Sequence, residues 1–223
     1  MTPASASQQA PVGILGGTFD PVHYGHLRAA VEVRERLGLG TVRMLPSARP
    51  PHRQTPGADA RHRMQMLQRA IACQDYLAAD DCEMRRAGPS SMVDTLEALR
   101  RELGAIPLVL MIGQDAANRL DRWHQWRRLF ETAHRAVMRR PDAVPDYGAE
   151  LADWMAERTV TSASDLLAAQ AGRVINVAIT QLDISSTAIR AMIAEGKSPL
   201  YLTPPPVIEY IREHGLYSAA PPA

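Results

Sequence analysis

The run from Gly16 to His26, GGTFDPVHYGH, gathers paired glycines, a proline and two histidines into one short stretch. Paired glycines lack a Cβ and let the backbone approach a ligand closely, so amides there can face phosphate oxygens. Pro21 stiffens the turn, and Gly25 and His26 open a helix whose first N–H groups lack intrahelical partners and attract anions. His23 and His26, three positions apart at a helix start, turn both imidazoles to one side. No acid stands beside them as an evident general base, and a nucleophile that is already ionised needs none. A phosphate monoester attacking the α-phosphorus of ATP meets that condition; catalysis is then alignment and stabilisation of charge on the phosphoryl oxygens. The spacing is neither the Walker GxxxxGK[ST] nor a dinucleotide-binding GxGxxG.

A second polar turn, DISSTAIR, runs from Asp183 to Arg190 directly after a strand pattern. Ser185, Ser186 and Thr187 make a hydroxyl-rich helix start, and Arg190 follows about one turn later. Free amides, hydroxyls and a guanidinium then converge on a polyanion. SST alone is a common capping pattern, as paired Gly alone is a common turn; together the two segments read as jaws of a triphosphate clamp.

The elements that must position these residues alternate along the chain. Val12–Gly16 is a short apolar strand, with a helix beginning near Gly25 through Leu27, Ala30, Val31 and Leu37. Thr41–Pro46 is the next strand, Pro46–Gly57 a proline-rich basic loop, and Ala60–Ala72 an amphipathic helix. Leu77–Met84 reads as a strand and Met92–Leu103 as a helix. PLVLMI, from Pro107 to Ile112, is the clearest buried parallel strand. Further strands are expected at Arg135–Met138 and Val174–Ile179, with helices at Tyr147–Glu157, Asp165–Ala171, Ser185–Ala194 and Pro206–His214. Such alternation points to a doubly wound, Rossmann-like α/β sheet with a small C-terminal helical extension. In such sheets ligands bind beyond the carboxyl ends of strands, where Gly16–Gly25, Pro46–Arg53 and Gly113–Asp115 emerge.

With 223 residues, 46% hydrophobic and 22% charged, the chain suits one globular domain, expected over residues 12–217 between a loose leader at 1–11 and a tail at 218–223. A net charge of +1 with interleaved acids and bases argues against general nucleic-acid binding. Cys73 and Cys82 form neither a zinc spacing nor a disulfide framework and read as reduced thiols. The leader lacks a secretory signal and no apolar run reaches membrane-spanning length, so a cytoplasmic protein is expected.

GGTFDPVHYGH followed by ISSTAIR resembles the bacterial nicotinate mononucleotide adenylyltransferases of the HxGH nucleotidyltransferase superfamily. Matching pieces follow in order: PPHR at Pro50–Arg53, PSSMVDTL at Pro89–Leu96, IGQD at Ile112–Asp115, WHQW at Trp123–Trp126, Arg140–Pro141, and YLTPPPVIEYIREHGLY near the C-terminus. The resemblance implies adenylyl transfer from ATP, carried with Mg²⁺, to nicotinate mononucleotide, with a homo-oligomer compatible. It implies that Gly16, Gly17, Thr18 and Phe19 contact ATP, that His23 and His26 stabilise the transition state, and that Ile184, Ser185, Ser186, Thr187 and Arg190 hold the polyphosphate. Asp115 is placed near the ribose, Trp123 on the pyridine ring, and Arg53, Arg140, Ser91 and Met92 beside the substrate. Trp126 is left to packing.

Two positions depart from the family pattern. Arg53 stands where Lys is usual, exchanging a point donor for a planar fork. Ser91–Met92 replaces a Tyr-Thr pair beside the nicotinate carboxylate, which bears on preference for the acid over the nicotinamide mononucleotide. A catalytically silent nucleotide-sensing module is the alternative from outside the enzyme class.

Overall fold

Buried apolar runs set the frame. A computed structural model describes residues 10–48, 56–86, 88, 91–139 and 144–218. Its strands are β1 (Val12–Gly17), β2 (Thr41–Pro46), β3 (Leu77–Ala79), β4 (Leu108–Gly113), β5 (His134–Arg139), β6 (Thr159–Val160) and β7 (Val174–Ala178). They form a seven-stranded sheet in the order β3-β2-β1-β4-β5-β7-β6. The direction of winding reverses at β1/β4, where Val12 pairs with Leu108 and Ile14 with Leu110 in parallel register. This is the doubly wound α/β arrangement that alternating strand and helix patterns imply. Leu108, Val109, Leu110 and Met111 are all buried, as a parallel strand covered on both faces requires.

The helices are α1 (Tyr24–Leu37), α2 (Ala60–Ile71), α3 (Met92–Leu103), α4 (Gln114–Ala117), α5 (Trp126–Thr132), α6 (Ala149–Arg158), α7 (Ala163–Leu167), α8 (Ser186–Ala194) and α9 (Pro205–Glu213). Two compact units divide the chain. The first holds residues 1–15, 33–42 and 91–179, hence β4 to β7 and α3 to α7; there α3 packs on α5. The second holds residues 16–32, 43–90 and 180–223. Within it α2 packs on α9, whose Val207, Ile208, Tyr210 and Ile211 form one buried face at helical spacing.

Several boundaries differ from the sequence expectation for local reasons. The strand expected over Leu77–Met84 ends at Ala79, because the Asp80 carboxylate accepts the Cys82 N–H at 2.9 Å and pairs with Arg43 at 3.1 Å, turning the chain. The helix expected at Asp165–Ala171 starts at Ala163 and stops at Leu167, since Ser162 caps it through the Asp165 N–H at 3.0 Å. Short elements α4, α5 and β6 carried too few periodic residues to be read in advance.

Candidate active site

Four backbone groups of the first loop are gripped in succession by residues far along the chain. Arg190 Nη1 donates to the Asp20 carbonyl at 2.7 Å, Ser186 Oγ to Pro21 O at 2.9 Å, Thr203 Oγ1 to Val22 O at 2.7 Å, and the Tyr24 N–H donates to Leu202 O at 3.1 Å. The two turns singled out in the sequence therefore fold onto one another inside the second unit. At about 1 kcal/mol per bond, the four contacts offset about 4 kcal/mol of the conformational entropy that the short loop loses on being fixed.

The histidines sit on this clamped turn. Their rings stack with centroids 3.7 Å apart and planes inclined 26°. His26 Nδ1 accepts the His23 N–H at 3.3 Å, which leaves Nε2 as the ring nitrogen that can donate. His23 is 6% exposed, and burial lowers its pKa to about 4, so it is neutral at pH 7. Its Nδ1 is buried with no hydrogen-bond partner among the described residues. A Cβ on Gly25 would lie 3.0 Å from that nitrogen, so any side chain here would press on the ring. Phe19 is buried, and its ring meets His26 in a T-shaped contact with 5.0 Å between centroids.

Arg63, buried on α2, fixes the start of the loop. Its guanidinium donates to Thr18 O at 2.7 Å, Ser47 O at 2.7 Å and Ala58 O at 3.2 Å, while Gly17 O accepts the Ser47 N–H at 2.8 Å. Neither Arg63 nor Asp20 was singled out from sequence. Arg63 was discoverable, because it falls one turn before Leu67 on the face that also carries Met66.

In the second turn the hydroxyls already have duties. Ser185 Oγ caps α8 by accepting the Ala188 N–H at 3.1 Å, Ser186 Oγ ties Pro21, and Thr187 Oγ1 accepts from Arg190 Nη2 at 3.5 Å. Ile184 O lies 3.8 Å from where a Gly25 Cβ would stand. What remains open to an anion is the amide-rich start of α8 and the outer face of Arg190, whose side chain is 31% exposed.

The first unit holds Asp115, Trp123, Ser91 and Met92. Asp115 lies at the start of α4, exposed, and lines a cavity of about 810 Å³ with Asn118, Arg119, Arg122 and Tyr147 among others. Gln114 braces this wall: Nε2 donates to Asn118 Oδ1 at 2.7 Å and contacts Tyr147 Oη at 3.1 Å, and Oε1 accepts from Arg139 Nε at 3.1 Å. The Gln114 network joins the ends of β4 and β5 and had no sequence signal, since its members come from separate segments. Trp123 is half-buried at the end of a short 3-10 turn, whereas Trp126 is buried against Phe130 and Trp154, in agreement with its assignment to packing. Ser91 is the N-cap residue of α3 in extended conformation, and Met92 opens the helix. Arg53 and Arg140 lie outside the described residues.

Among the described residues no three His, Cys, Asp or Glu side chains converge as a metal cage, and no helix is long and apolar enough to cross a membrane.

Comparison with known proteins places this geometry. A family model described as cytidylyltransferase-like matches residues 14–192. The chain is 50% identical over 93% of its length to a probable nicotinate-nucleotide adenylyltransferase of Methylococcus capsulatus, covering 99% of that protein. It is 48% identical, again over 93%, to one from Marinobacter nauticus, covering 97% of it. Among solved structures, the Plasmodium falciparum nicotinic acid mononucleotide adenylyltransferase complexed with NaAD shares the fold, with a TM-score of 0.71 at 15% identity over 93% of this chain and 97% of that one. With the clamped HxGH turn at its centre and these relatives along nearly its whole length, the chain belongs to the cytidylyltransferase-like family and, within it, to the nicotinate-nucleotide adenylyltransferases.

Proposed function

We propose that the protein transfers the adenylyl group of ATP to nicotinate mononucleotide, giving nicotinate adenine dinucleotide and pyrophosphate. A phosphate oxygen of the mononucleotide attacks the α-phosphorus, and the bond from that phosphorus to the bridging oxygen of the β-phosphate breaks as pyrophosphate leaves. The observation that carries this reading is the stacked His23–His26 pair on a turn whose backbone is tied to Arg190 and Ser186. A His23 with so low a pKa is a weak base, and an N–H on each ring can donate a hydrogen bond, which suits a nucleophile that arrives ionised.

Gly16, Gly17 and Thr18 with the start of α8 face ATP, and Arg190 neutralises the departing charge. Mg²⁺ arrives on the phosphates, whose hard oxygens are the ligands that this ion takes. Asp115 takes the ribose, Trp123 the pyridine ring, and the amides at Ser91 and Met92 the carboxylate. Arg53 and Arg140 add positive charge beside the mononucleotide. The free thiols Cys73 and Cys82 accord with a cytoplasmic enzyme.

Pyrophosphate release from ATP, measured with nicotinate and nicotinamide mononucleotides offered separately, tests the reading. The specificity constant is expected to favour the acid. A preference for the amide moves the assignment to the amide substrate, and ATP binding without pyrophosphate from either acceptor turns the chain into a sensing module.

A further inference from the structure

The C-terminal motif YLTPPPVIEYIREHGLY has a role that packing of α9 does not exhaust. Its final Tyr217 reaches back to Asp20, a carboxylate only 3% exposed that belongs to the histidine turn. Asp20 Oδ1 accepts the Tyr217 O–H at 2.7 Å and the Ala58 N–H at 3.1 Å; Oδ2 accepts the Gly57 N–H at 2.7 Å and pairs with Arg190 Nη1 at 3.4 Å. Tyr217 holds φ at +63, a left-handed conformation that a bulky residue adopts only when its surroundings impose it. Burial and the neighbouring carboxylate both raise the phenol above its usual pKa, so it stays a donor at neutral pH. A Cβ on Gly57 would lie 3.1 Å from both Arg190 Cδ and Tyr217 Cε1, so the three residues pack without slack.

We propose that Tyr217 and Asp20 act as a positioning pair for Arg190, the phenol occupying one carboxylate oxygen so that Asp20 fixes the guanidinium without capturing it. A carboxylate beside arginine competes with the polyphosphate for the same donors, and its preferred geometry is bidentate. Here Oδ1 is filled by Tyr217 and Ala58, so Arg190 is touched by Asp20 through Nη1 alone, once at Oδ2 and once at the main-chain oxygen. Nη2 is left toward Thr187. Removal of the phenol oxygen frees Oδ1 to draw the guanidinium into a two-point grip, away from the anion it has to meet. The pairing also explains why the turn that carries His23 is tied to residue 217: the clamp is set only when that segment is docked.

This inference rests on Arg190 as a polyphosphate ligand, and its test separates the two claims. Tyr217→Phe removes one oxygen and keeps the ring. The expected result is a 5- to 10-fold fall in kcat/KM for ATP, with KM for nicotinate mononucleotide within twofold. In an Arg190→Ala background the same change is expected to alter kcat/KM by less than twofold, since there is no guanidinium left to misplace; a merely structural role would subtract the same factor in both backgrounds. Wild-type kinetics in Tyr217→Phe, or an equal loss in both backgrounds, overturns the pair and leaves the clamp standing. An Arg190→Ala enzyme as active as wild type overturns both.

Discussion

Two buried histidines, one in each unit, meet the same electrostatic penalty and answer it differently. His134, fully buried on β5, has burial and nearby arginines lowering its pKa to about 4, but both ring nitrogens are satisfied: Nε2 meets Ala169 O at 2.9 Å and Nδ1 accepts the Arg173 N–H at 3.2 Å. His23 has the same lowered pKa of about 4 and a buried Nδ1 with no partner among the described residues. A polar ring that is fully bonded serves the fold; one left short on a clamped turn is the ring we propose for the reaction. The arginines repeat the contrast. Arg63 satisfies three carbonyls around the active turn, whereas Arg135, wholly buried, donates Nη1 to Ala133 O, lies 3.9 Å over the Phe130 ring, and has Nε and Nη2 without partners among the described residues.

The sharpest break of this comparison is a pair of substitutions. His23→Ala is expected to lower kcat by about 10²–10³, the usual loss for one transition-state donor, with ATP affinity within about twofold. His134→Gln is expected to leave kcat within about twofold and to lower stability instead; steady-state kinetics beside calorimetry reads both. If His23→Ala weakens ATP binding as much as turnover, its transition-state role is lost.

Next comes the arginine pair. Arg63→Met leaves the Thr18, Ser47 and Ala58 carbonyls without their donor and should cost about 3 kcal/mol, together with activity. Arg135→Met exchanges a buried cation, with Nε and Nη2 unpartnered among the described residues, for an apolar chain of similar length and should be neutral or stabilising by about 1 kcal/mol. Urea denaturation of both variants decides it; equal losses would erase the distinction.

The same two histidines are also read together in acid. Each histidine is harder to protonate folded than unfolded, so between about pH 4 and 6.5 the unfolded chain binds more protons and stability rises with pH. The contribution is complete above pH 6.5 and is lost as pH falls toward 4, at about 1.4 kcal/mol per pH unit for each histidine. His134→Gln should halve that part of the slope in melting temperature against pH, and an unchanged slope would show that His134 does not contribute.

The regular elements were legible where a period or a long apolar run repeated. Thr41–Pro46 and Met92–Leu103 have the boundaries their patterns indicate, and β4 begins one residue after the expected strand. Leu77–Met84 failed because Asp80 bonds forward to Cys82, a side-chain choice that no periodicity records. The Phe19 ring lies against His26, a direction that a motif does not record because it fixes a residue's address and not the way its ring turns.

Residue types and order pointed to the reaction class: histidines near paired glycines, and a hydroxyl-rich helix start with an arginine. They also determined the alternating fold, because hydrophobic period is local. Only the tertiary structure decided which hydroxyls were free, that Ser185 and Ser186 are engaged in capping and tying the turn, and that Asp20, Arg63 and Tyr217 converge from distant segments. Burial and hydrogen-bond satisfaction depend on what surrounds a group in space, and a linear sequence carries no record of that until the chain closes on itself.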